Sequence, residues 1–259
     1  MNKLCIEVFW GIPHDILLPL IKEAGFDGFF SGEVNANSLE KLKSFRETVD
    51  GLGLIYETSH STIPGCTDIW TKGEAVDKYI DVLKNNIDNC HKLSIPMLVV
   101  HVQIDKGSEN FLELGIKRLE SVVEYAAQKN IKLAFENINS PEFLFATLEH
   151  FDSSNVGFCY DCGHEACHTP DVRYLPKLGH RLFCTHIHDN DNVWDQHWIP
   201  FDGKIDFERI AEELKVCGYK GNLSLELCYN DKYKSEMTEQ EYIKKSFDAV
   251  KRLQSKLKH

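Results

Sequence analysis

Short apolar runs alternate along the chain with longer stretches in which apolar residues recur every three or four positions. The stretch from Val76 to Cys90 shows the longer pattern, because Tyr79, Leu83 and Ile87 would lie with them on one face of a helix. The short runs are typical of buried strands. Eight can be counted, at about residues 4 to 9, 27 to 31, 53 to 58, 97 to 102, 131 to 136, 156 to 160, 182 to 187 and 222 to 227.

Eight alternating units predict an α/β fold, a (β/α)8 TIM barrel that forms a single domain over residues 1–259. The alternative is an open doubly wound sheet. Its first strand would lead into a glycine-rich turn, which residues 9–15, FWGIPHD, do not match. Four glycines follow predicted helices and are expected to end them in the left-handed conformation: Gly25, Gly51, Gly179 and Gly218.

Composition and charge narrow the functional classes. The 259 residues are 42% hydrophobic, which is enough for one large core. The net charge of −11 disfavours DNA or RNA as a partner. No apolar stretch approaches the roughly 20 residues of a membrane span. The segment that most resembles a signal peptide is interrupted by Glu7. Because nine scattered cysteines suit buried thiols in a reducing compartment, we expect a soluble cytoplasmic protein.

Six of the runs end on a side chain that can bind a metal ion: His60, His101, Glu136, Asp161, His186 and Glu226. In a barrel of parallel strands, the carboxyl ends of the strands meet at one mouth. Strand alternation turns Glu226 inward together with Ser224, and Glu136 together with Ala134. A single histidine at a strand end is usually structural. A histidine, aspartate or glutamate at the ends of six predicted strands instead indicates that these strands share a divalent-metal centre.

Two local motifs extend this set of candidates. Asp161 and His164 form a DxxH motif just beyond one strand, and Asp195 and His197 form a DxH motif in the loop after His186. Such residues often serve only as turn caps. At the mouth of a barrel they become candidates for further metal or substrate contacts.

Aromatic and sulfur-containing side chains lie near the same strand ends. Trp10 and Trp198 are predicted to line a substrate pocket. The segment CYDCGHEACH, residues 159–168, also allows a zinc site built on cysteine. However, Cys159 and Cys162 have opposite strand parity, and no second CxxC pair exists. Packed thiols are therefore the default interpretation.

Five segments carry a family resemblance: VVHVQ at 99–103, AFEN at 134–137, YDCGH at 160–164, THIHDN at 185–190 and DFERIAEELKVCGYKGNLSLEL at 206–227. They resemble the xylose isomerase-like TIM barrels. This family includes sugar phosphate isomerases and epimerases, hydroxypyruvate isomerase, inosose dehydratase and endonuclease IV, a member of AP endonuclease family 2. The resemblance covers nearly the whole chain.

The resemblance to the epimerases implies one divalent ion held by Glu136, Asp161, His186 and Glu226. It also implies that Glu136 and Glu226 exchange protons with a carbohydrate substrate, and that His164 contacts that substrate. His60 and His101 are further candidates for substrate contact. Where the epimerases place an arginine six residues after the metal-binding histidine, this chain has Asn192, so contacts on that side of the substrate must differ.

The resemblance to endonuclease IV implies a different centre, with three zinc ions and hydrolysis of a phosphoester. The additional metal ligands would then be His60, His101, His164, Asp195 and His197. The acidic net charge argues against a DNA substrate. A dehydratase is a third alternative within the family.

The identity and number of the ions stay open at this point. A carboxylate-rich set of four ligands suits Mn²⁺, added imidazoles favour Zn²⁺, and Mg²⁺ and Co²⁺ are alternatives. The expected number is one to three ions, and the expected partner is a small carbohydrate. The resemblance is also compatible with a homodimer.

Overall fold

The structure is a computed structural model that describes residues 2–8, 12–32, 39–73, 75–102 and 111–257. Eight strands were identified in these residues: β1 (Leu4–Glu7), β2 (Gly28–Ser31), β3 (Ile55–His60), β4 (Met97–His101), β5 (Lys132–Glu136), β6 (Val156–Asp161), β7 (Leu182–His186) and β8 (Leu223–Leu225). The α-helices of the described residues are α1 (His14–Ala24), α2 (Leu39–Leu52), α3 (Ala75–Lys92), α4 (Leu112–Gln128), α5 (Pro141–His150), α6 (Cys162–His168), α7 (Leu175–Leu178), α8 (Phe207–Val216), α9 (Asp231–Lys234) and α10 (Glu239–Lys256).

The strands form one parallel sheet in the order β7-β6-β5-β4-β3-β2-β1-β8. Two backbone hydrogen bonds close this sheet into a barrel between β7 and β8. Ile187 N donates to Ser224 O at 2.9 Å, and Glu226 N donates to Ile187 O at 3.1 Å. The predicted single-domain (β/α)8 barrel is therefore the observed fold.

Side-chain alternation divides the apolar residues into two layers. A small cluster inside the barrel contains Val99, Ala134, Cys159 and Cys184. A much larger cluster lies between the strands and the surrounding helices, where Phe135 and Phe158 are fully buried. Residues on the inner parity therefore point toward the barrel axis, and those at the carboxyl ends of the strands can reach a site at the mouth.

One irregularity changes this parity. The pairing of β2 with β3 shifts register between Phe29 and Ser31, so that β3 carries one extra residue. Glu57 and His60 are three positions apart, yet both reach groups across the interior of the barrel. The Glu57 carboxyl accepts a hydrogen bond from Ser224 Oγ, and His60 contacts Glu136.

The predictions for helix ends were right at two glycines and wrong at two. Gly25 and Gly218 have φ of 104° and 71°, as expected for left-handed terminating residues. Gly51 instead lies inside α2, because the helix continues to Leu52 and packs that side chain against the core. Gly179 has a φ of −58°. A Cβ there would lie 2.5 Å from Cys217 Cβ, so close packing accounts for this glycine.

The search for membrane-spanning segments gave no candidate among the described residues. None of their helices is long and apolar enough to cross a bilayer.

Candidate metal centre

Four side chains converge where β5, β6, β7 and β8 end at the mouth of the barrel. Glu136, Asp161 and His186 are the last residues of their strands, and Glu226 directly follows β8. Their ligand atoms all lie within 4.8 Å of one another. We call these four residues the strand-borne group. Sequence separations of up to 90 positions are bridged because parallel strands bring their carboxyl ends to one edge.

Glu136 is the centre of this arrangement. Four imidazoles approach its carboxylate: His60 Nε2 at 3.2 Å, His101 Nε2 at 3.3 Å, His164 Nδ1 at 3.4 Å and His186 Nδ1 at 3.2 Å. Bonds of about 2.0–2.1 Å around a four-coordinate zinc ion would place neighbouring donor atoms about 3.3 Å apart. The observed separations therefore fit donors arranged around a cation.

Three buried oxygen and nitrogen atoms that could bind a metal ion in the strand-borne group have no hydrogen-bond partner among the described residues. These atoms are Asp161 Oδ2, His186 Nε2 and Glu226 Oε2. A buried polar atom without a partner is costly, so such atoms usually have a ligand, an ion or a water nearby. Together with the carboxylate and imidazole composition, they fit a divalent cation.

A second set of donors lies beside the first. His164 comes from α6, and Asp195 and His197 come from the segment between β7 and α8. Asp195 Oδ2 is 3.2 Å from His164 Nε2 and 3.2 Å from His197 Nε2. We call these three residues the loop-borne group. The side chains of Asp195 and His197 are 26% and 25% exposed, so this group is more open than Glu136.

His164 is held by the way that α6 begins. Asp161 is the N-cap of this helix and accepts a hydrogen bond from His164 N at 2.6 Å. Asn137 fixes the backbone of Asp161 from the neighbouring strand, with Asp161 N donating to Asn137 Oδ1 at 2.9 Å and Asn137 Nδ2 donating to Asp161 O at 2.8 Å. The cap therefore ties the strand-borne and loop-borne groups together.

Asp189 organises the segment that carries Asp195 and His197. Its buried carboxylate accepts hydrogen bonds from four backbone N–H groups, those of Asn190, Phe201, Gly203 and Ile205, at 2.8–3.0 Å. A Cβ at Gly203 would lie 2.3 Å from Asp189 Oδ1, so this turn requires glycine. One carboxylate therefore fixes the course of the loop at both of its ends.

Electrostatics distinguish the histidines from one another. Burial alone would lower the pKa of His164 and His186, but the surrounding carboxylates outweigh burial and raise both values well above the usual range. Burial opposes a similar rise for His197, yet Asp195 and Glu226 raise its pKa to about 10. For His101 burial dominates, and its pKa falls to about 4. His101 is therefore neutral at pH 7, whereas the surrounding carboxylates favour the protonated form of the other three imidazoles.

The carboxylates respond in the opposite sense. Burial would raise the pKa of Glu136, Asp161 and Asp195, but the neighbouring imidazoles hold all three values well below their usual range. Burial and the charge of Glu136 leave the pKa of Glu226 raised, despite the nearby His186. Without an ion, most carboxylates of the site therefore favour the negatively charged form, and they face imidazoles that favour the positively charged form.

The nine ionisable residues singled out in the sequence lie together: seven form the strand-borne and loop-borne groups, and His60 and His101 join them through Glu136. Trp198 lies next to them, half-buried, with Lys232 Nζ 3.7 Å from the centre of its ring. Trp10 lies outside the described residues. The Cys162 thiol donates a hydrogen bond to His188 O at 3.2 Å, whereas Cys159 packs inside the barrel. The two sulfur atoms therefore lie in different environments.

The sequence-based search missed four residues of this region: Glu7, Glu57, His188 and Asp189. Glu7 pairs with Phe30, whose ring stacks on His186 at 4.4 Å, so Glu7 also faces the interior of the barrel. Burial, with the charge of Glu226, raises the pKa of Glu7 to about 8. A carboxylate inside an apolar run was the available signal at Glu7 and Glu57.

Comparison with known proteins agrees with this architecture. A sequence profile described as xylose isomerase-like TIM barrel matches residues 18–253. An inosose isomerase from Halalkalibacterium halodurans is 24% identical, and the alignment covers 98% of this chain and 97% of that protein. Two relatives of uncharacterised function align with 57% and 66% of the chain, which spans only 52% and 63% of their lengths.

Solved structures share the fold over the full chain. An IolI protein with a bound zinc atom superposes with a TM-score of 0.82 at 18% identity, covering 99% of both chains. A D-psicose 3-epimerase from Clostridium cellulolyticum H10 superposes with a TM-score of 0.80 at 14% identity, covering 99% of this chain and all of the other. At these identities the likeness establishes the fold.

Proposed function

The chain belongs to the xylose isomerase-like TIM barrel family, and from that premise we propose that it is a divalent-metal-dependent isomerase or epimerase of a sugar or sugar phosphate. The inosose isomerase that aligns over nearly the full chain and the structurally similar epimerase support this class of reaction. Because both are distant relatives, the proposal also needs support from the site itself.

The observation that carries the proposal is the convergence of two carboxylates from separate strands on one imidazole nitrogen. Glu136 Oε1 lies 3.2 Å from His186 Nδ1, and Glu226 Oε2 lies 3.5 Å from the same atom. These glutamates arrive from β5 and from the end of β8, which are not neighbours in the barrel. A substrate bound beside this nitrogen would therefore contact carboxylates from two separate parts of the barrel.

Glu136, Asp161, His186 and Glu226 would hold the ion, and Mn²⁺ and Zn²⁺ suit this donor set best. A divalent cation bound there would polarise a carbonyl and stabilise the negative charge that develops on its oxygen. One glutamate removes the proton from the carbon next to the carbonyl, and the other returns a proton to the opposite face or to the neighbouring carbon. The first outcome is epimerisation, and the second is aldose–ketose isomerisation.

The histidines around the site would position the hydroxyl groups of the substrate. His60 and His101 line the side of Glu136, and His164 of the loop-borne group also contacts the Glu136 carboxylate. Trp198, with Lys232 above its ring, would form part of the wall of the pocket. Asn192 occupies the place where the epimerases carry an arginine, so the recognised end of the substrate differs from theirs.

Solvent exchange tests the proposal directly. The protein is purified without chelator, loaded with Mn²⁺ or Zn²⁺, and incubated in D₂O with a panel of ketoses, ketose phosphates and inososes while the C–H signals are followed by NMR. We expect loss of a signal next to the carbonyl of one substrate, and no loss with Glu226→Gln. Glu149→Gln, an exposed glutamate on α5, is the matched control. Full metal loading without exchange on any substrate would contradict the proposal.

A phosphoester hydrolase is the second candidate, and one specific observation favours it. Glu136 belongs both to the strand-borne group and to a group with His60 and His101, and the loop-borne group adds further donors. These residues are sufficient for more than one ion. The net charge of −11 favours a small phosphoester over DNA as the substrate of such an enzyme.

Metal content and a phosphodiester assay separate the two candidates. One tightly bound ion per chain, with no cleavage of bis(4-nitrophenyl) phosphate, supports the isomerase. Two or three ions with cleavage of this ester, or nicking at an abasic site in an oligonucleotide, supports the hydrolase. Loss of water from an inosose would indicate a dehydratase instead.

A further inference from the structure

His188 lies between the strand-borne and loop-borne groups, and one of its ring nitrogens is within 4.8 Å of ligand atoms of all three loop-borne residues. Its side chain is completely buried, with 0% exposure. His188 Nε2 is 3.1 Å from Asp161 Oδ1 and 3.7 Å from Asp195 Oδ1. One ring nitrogen therefore faces a carboxylate of each group.

Packing on both faces prevents the His188 ring from turning away. A Cβ at Gly163 would fall 1.8 Å from His188 Cε1, so the ring rests directly on the backbone of that glycine. The ring of His197 stacks against it, with 4.0 Å between the ring centres and 9° between the planes. Asn190 Nδ2 donates to Gly163 O at 3.0 Å and secures the glycine from the side of the loop.

The contact with His188 makes the two oxygens of Asp161 unequal. Oδ1 accepts hydrogen bonds from His164 N at 2.6 Å and from His188 Nε2 at 3.1 Å. Oδ2 is buried and has no hydrogen-bond partner among the described residues. The carboxylate is thus held through one oxygen while the other stays available.

We propose that His188 is a positioning residue that orients Asp161 for a divalent cation. By donating its Nε2 proton to Oδ1, His188 fixes the carboxylate plane and leaves Oδ2 for the ion. The inference rests on the proposed metal site, and it extends that site by one residue outside the ligand set. Partners that orient metal ligands typically change metal affinity or activity by about 10–100-fold when they are removed.

The same geometry shows why His188 is not a ligand in this proposal. A neutral imidazole that donates from Nε2 to Asp161 has no lone pair on that atom for a cation. Its other nitrogen, Nδ1, is buried and has no hydrogen-bond partner among the described residues. A role as a fourth donor to the loop-borne group would require Nε2 to release Asp161.

Three substitutions test the proposal through metal binding rather than activity. A glutamine amide can reach the position of Nε2, an asparagine amide is too short to do so, and leucine fills volume without a donor. Affinity for Mn²⁺ and Zn²⁺ is measured by competition with a fluorescent chelator, the number of ions by mass spectrometry, and the melting temperature on metal-free protein. His150→Gln, an exposed histidine on α5, is the control.

We expect His188→Asn and His188→Leu to weaken binding of one ion by about 10–100-fold. His188→Gln should restore affinity to within a few-fold of wild type, with an unchanged number of ions. Wild-type affinity in the asparagine and leucine variants would overturn the proposal. Equal weakening in all three variants would also overturn it, because that result assigns the effect to packing.

Two further outcomes are informative. A glutamine variant that holds one ion fewer than wild type would identify His188 as a ligand and overturn the positioning role. Wild-type protein that binds no divalent ion would overturn this proposal together with the proposed function. If metal binding follows the expected pattern but no carbohydrate exchanges protons, only the proposed activity fails.

Discussion

The strand-borne group and the loop-borne group lie side by side at the barrel mouth, but the chain holds them by different means. Glu136, Asp161 and His186 are strand residues, and all three are almost completely buried. Asp195 and His197 lie in an irregular segment and are about one-quarter exposed. The first group is placed by the ladder of the barrel, whereas Asp195 and His197 are placed by the hydrogen bonds that a single carboxylate, Asp189, accepts.

Side chains on the strands are therefore held rigidly, whereas Asp195 and His197 can adjust their positions. Donors on strands move only if the barrel deforms, whereas donors in a loop move whenever the anchor of that loop weakens. A centre that performs chemistry needs fixed donors, and binding sites commonly draw their specificity from loops. We therefore expect the strand-borne group to determine whether the reaction occurs, and the loop-borne group to affect which substrate or how many ions are accepted.

The largest effect should come from Glu136, which serves both groups through its four imidazole contacts. Glu136→Gln removes a metal ligand and the charge that these imidazoles share. We expect catalysis to fall by about 10²–10⁴-fold, the usual contribution of a general acid or base, or further if the ion is also lost. The rate of solvent exchange and the metal content are measured together, with Glu149→Gln as the control. Retained activity would assign the chemistry to other residues.

The next largest effect should follow from removing the anchor of the loop. Asp189→Ala leaves four backbone N–H groups without their acceptor, and we expect the free energy of unfolding to fall by about 2–4 kcal/mol. Asp189→Asn keeps one acceptor oxygen and should cost less. Hydrogen exchange should increase in residues 190–205 while β5 and β6 stay protected. Equal loss of protection in both regions would contradict the comparison.

The pH dependence of stability should differ in sign between His197 and His101 in the metal-free protein. His197 has a raised pKa of about 10, so its stabilisation is complete below about pH 6.5 and is lost as pH rises towards 10. His101 has a lowered pKa of about 4, so its contribution is complete above about pH 6.5 and is lost as pH falls towards 4. Urea unfolding measured across this pH range should show both limbs.

Two variants identify which residue causes the loss of stability at high pH (the alkaline limb) and which causes the loss at low pH (the acid limb). His197→Gln should flatten the alkaline limb and leave the acid limb, and His101→Gln should do the reverse. If His197→Gln alters the acid limb instead, the electrostatic difference between His197 and His101 is wrong.

The smallest effect should come from the wall of the pocket. Trp198→Phe retains an aromatic ring but weakens the contact with Lys232, which is worth about 0.5–1 kcal/mol at partly exposed sites. We expect KM to rise by about two- to fivefold, with kcat and the number of bound ions unchanged. Lys232→Met should produce a similar change in KM. A large fall in kcat would place Trp198 in the chemistry rather than in the wall.

The periodicity of the strands was sufficient to predict the barrel and to predict that the strand-borne residues lie close together. Residues that close parallel strands share one edge, and alternation decides whether each of them points inward. Glu136 and Ala134 follow this rule, as do Glu226 and Ser224, because β5 and β8 are regular where they pair with their neighbours. Their role as metal ligands stays a prediction until an ion is observed.

The remaining features depend on contacts that no local pattern contains. The register shift in β3 turns both Glu57 and His60 inward, and strict alternation would allow only one of them. His188 has the parity of His186, but its function depends on Gly163 and Asp161, which lie 25 or more positions earlier. Asp189 looks like an ordinary turn residue in the sequence. Only the folded chain places Phe201, Gly203 and Ile205 around its carboxylate.

Anomalous diffraction from crystals grown with Mn²⁺ or Zn²⁺ would locate a bound ion without reference to activity. We expect an anomalous peak within about 2.0–2.3 Å of donor atoms from Glu136, Asp161, His186 and Glu226. A peak elsewhere on the protein, with no ion within coordinating distance of these four side chains, would contradict this assignment.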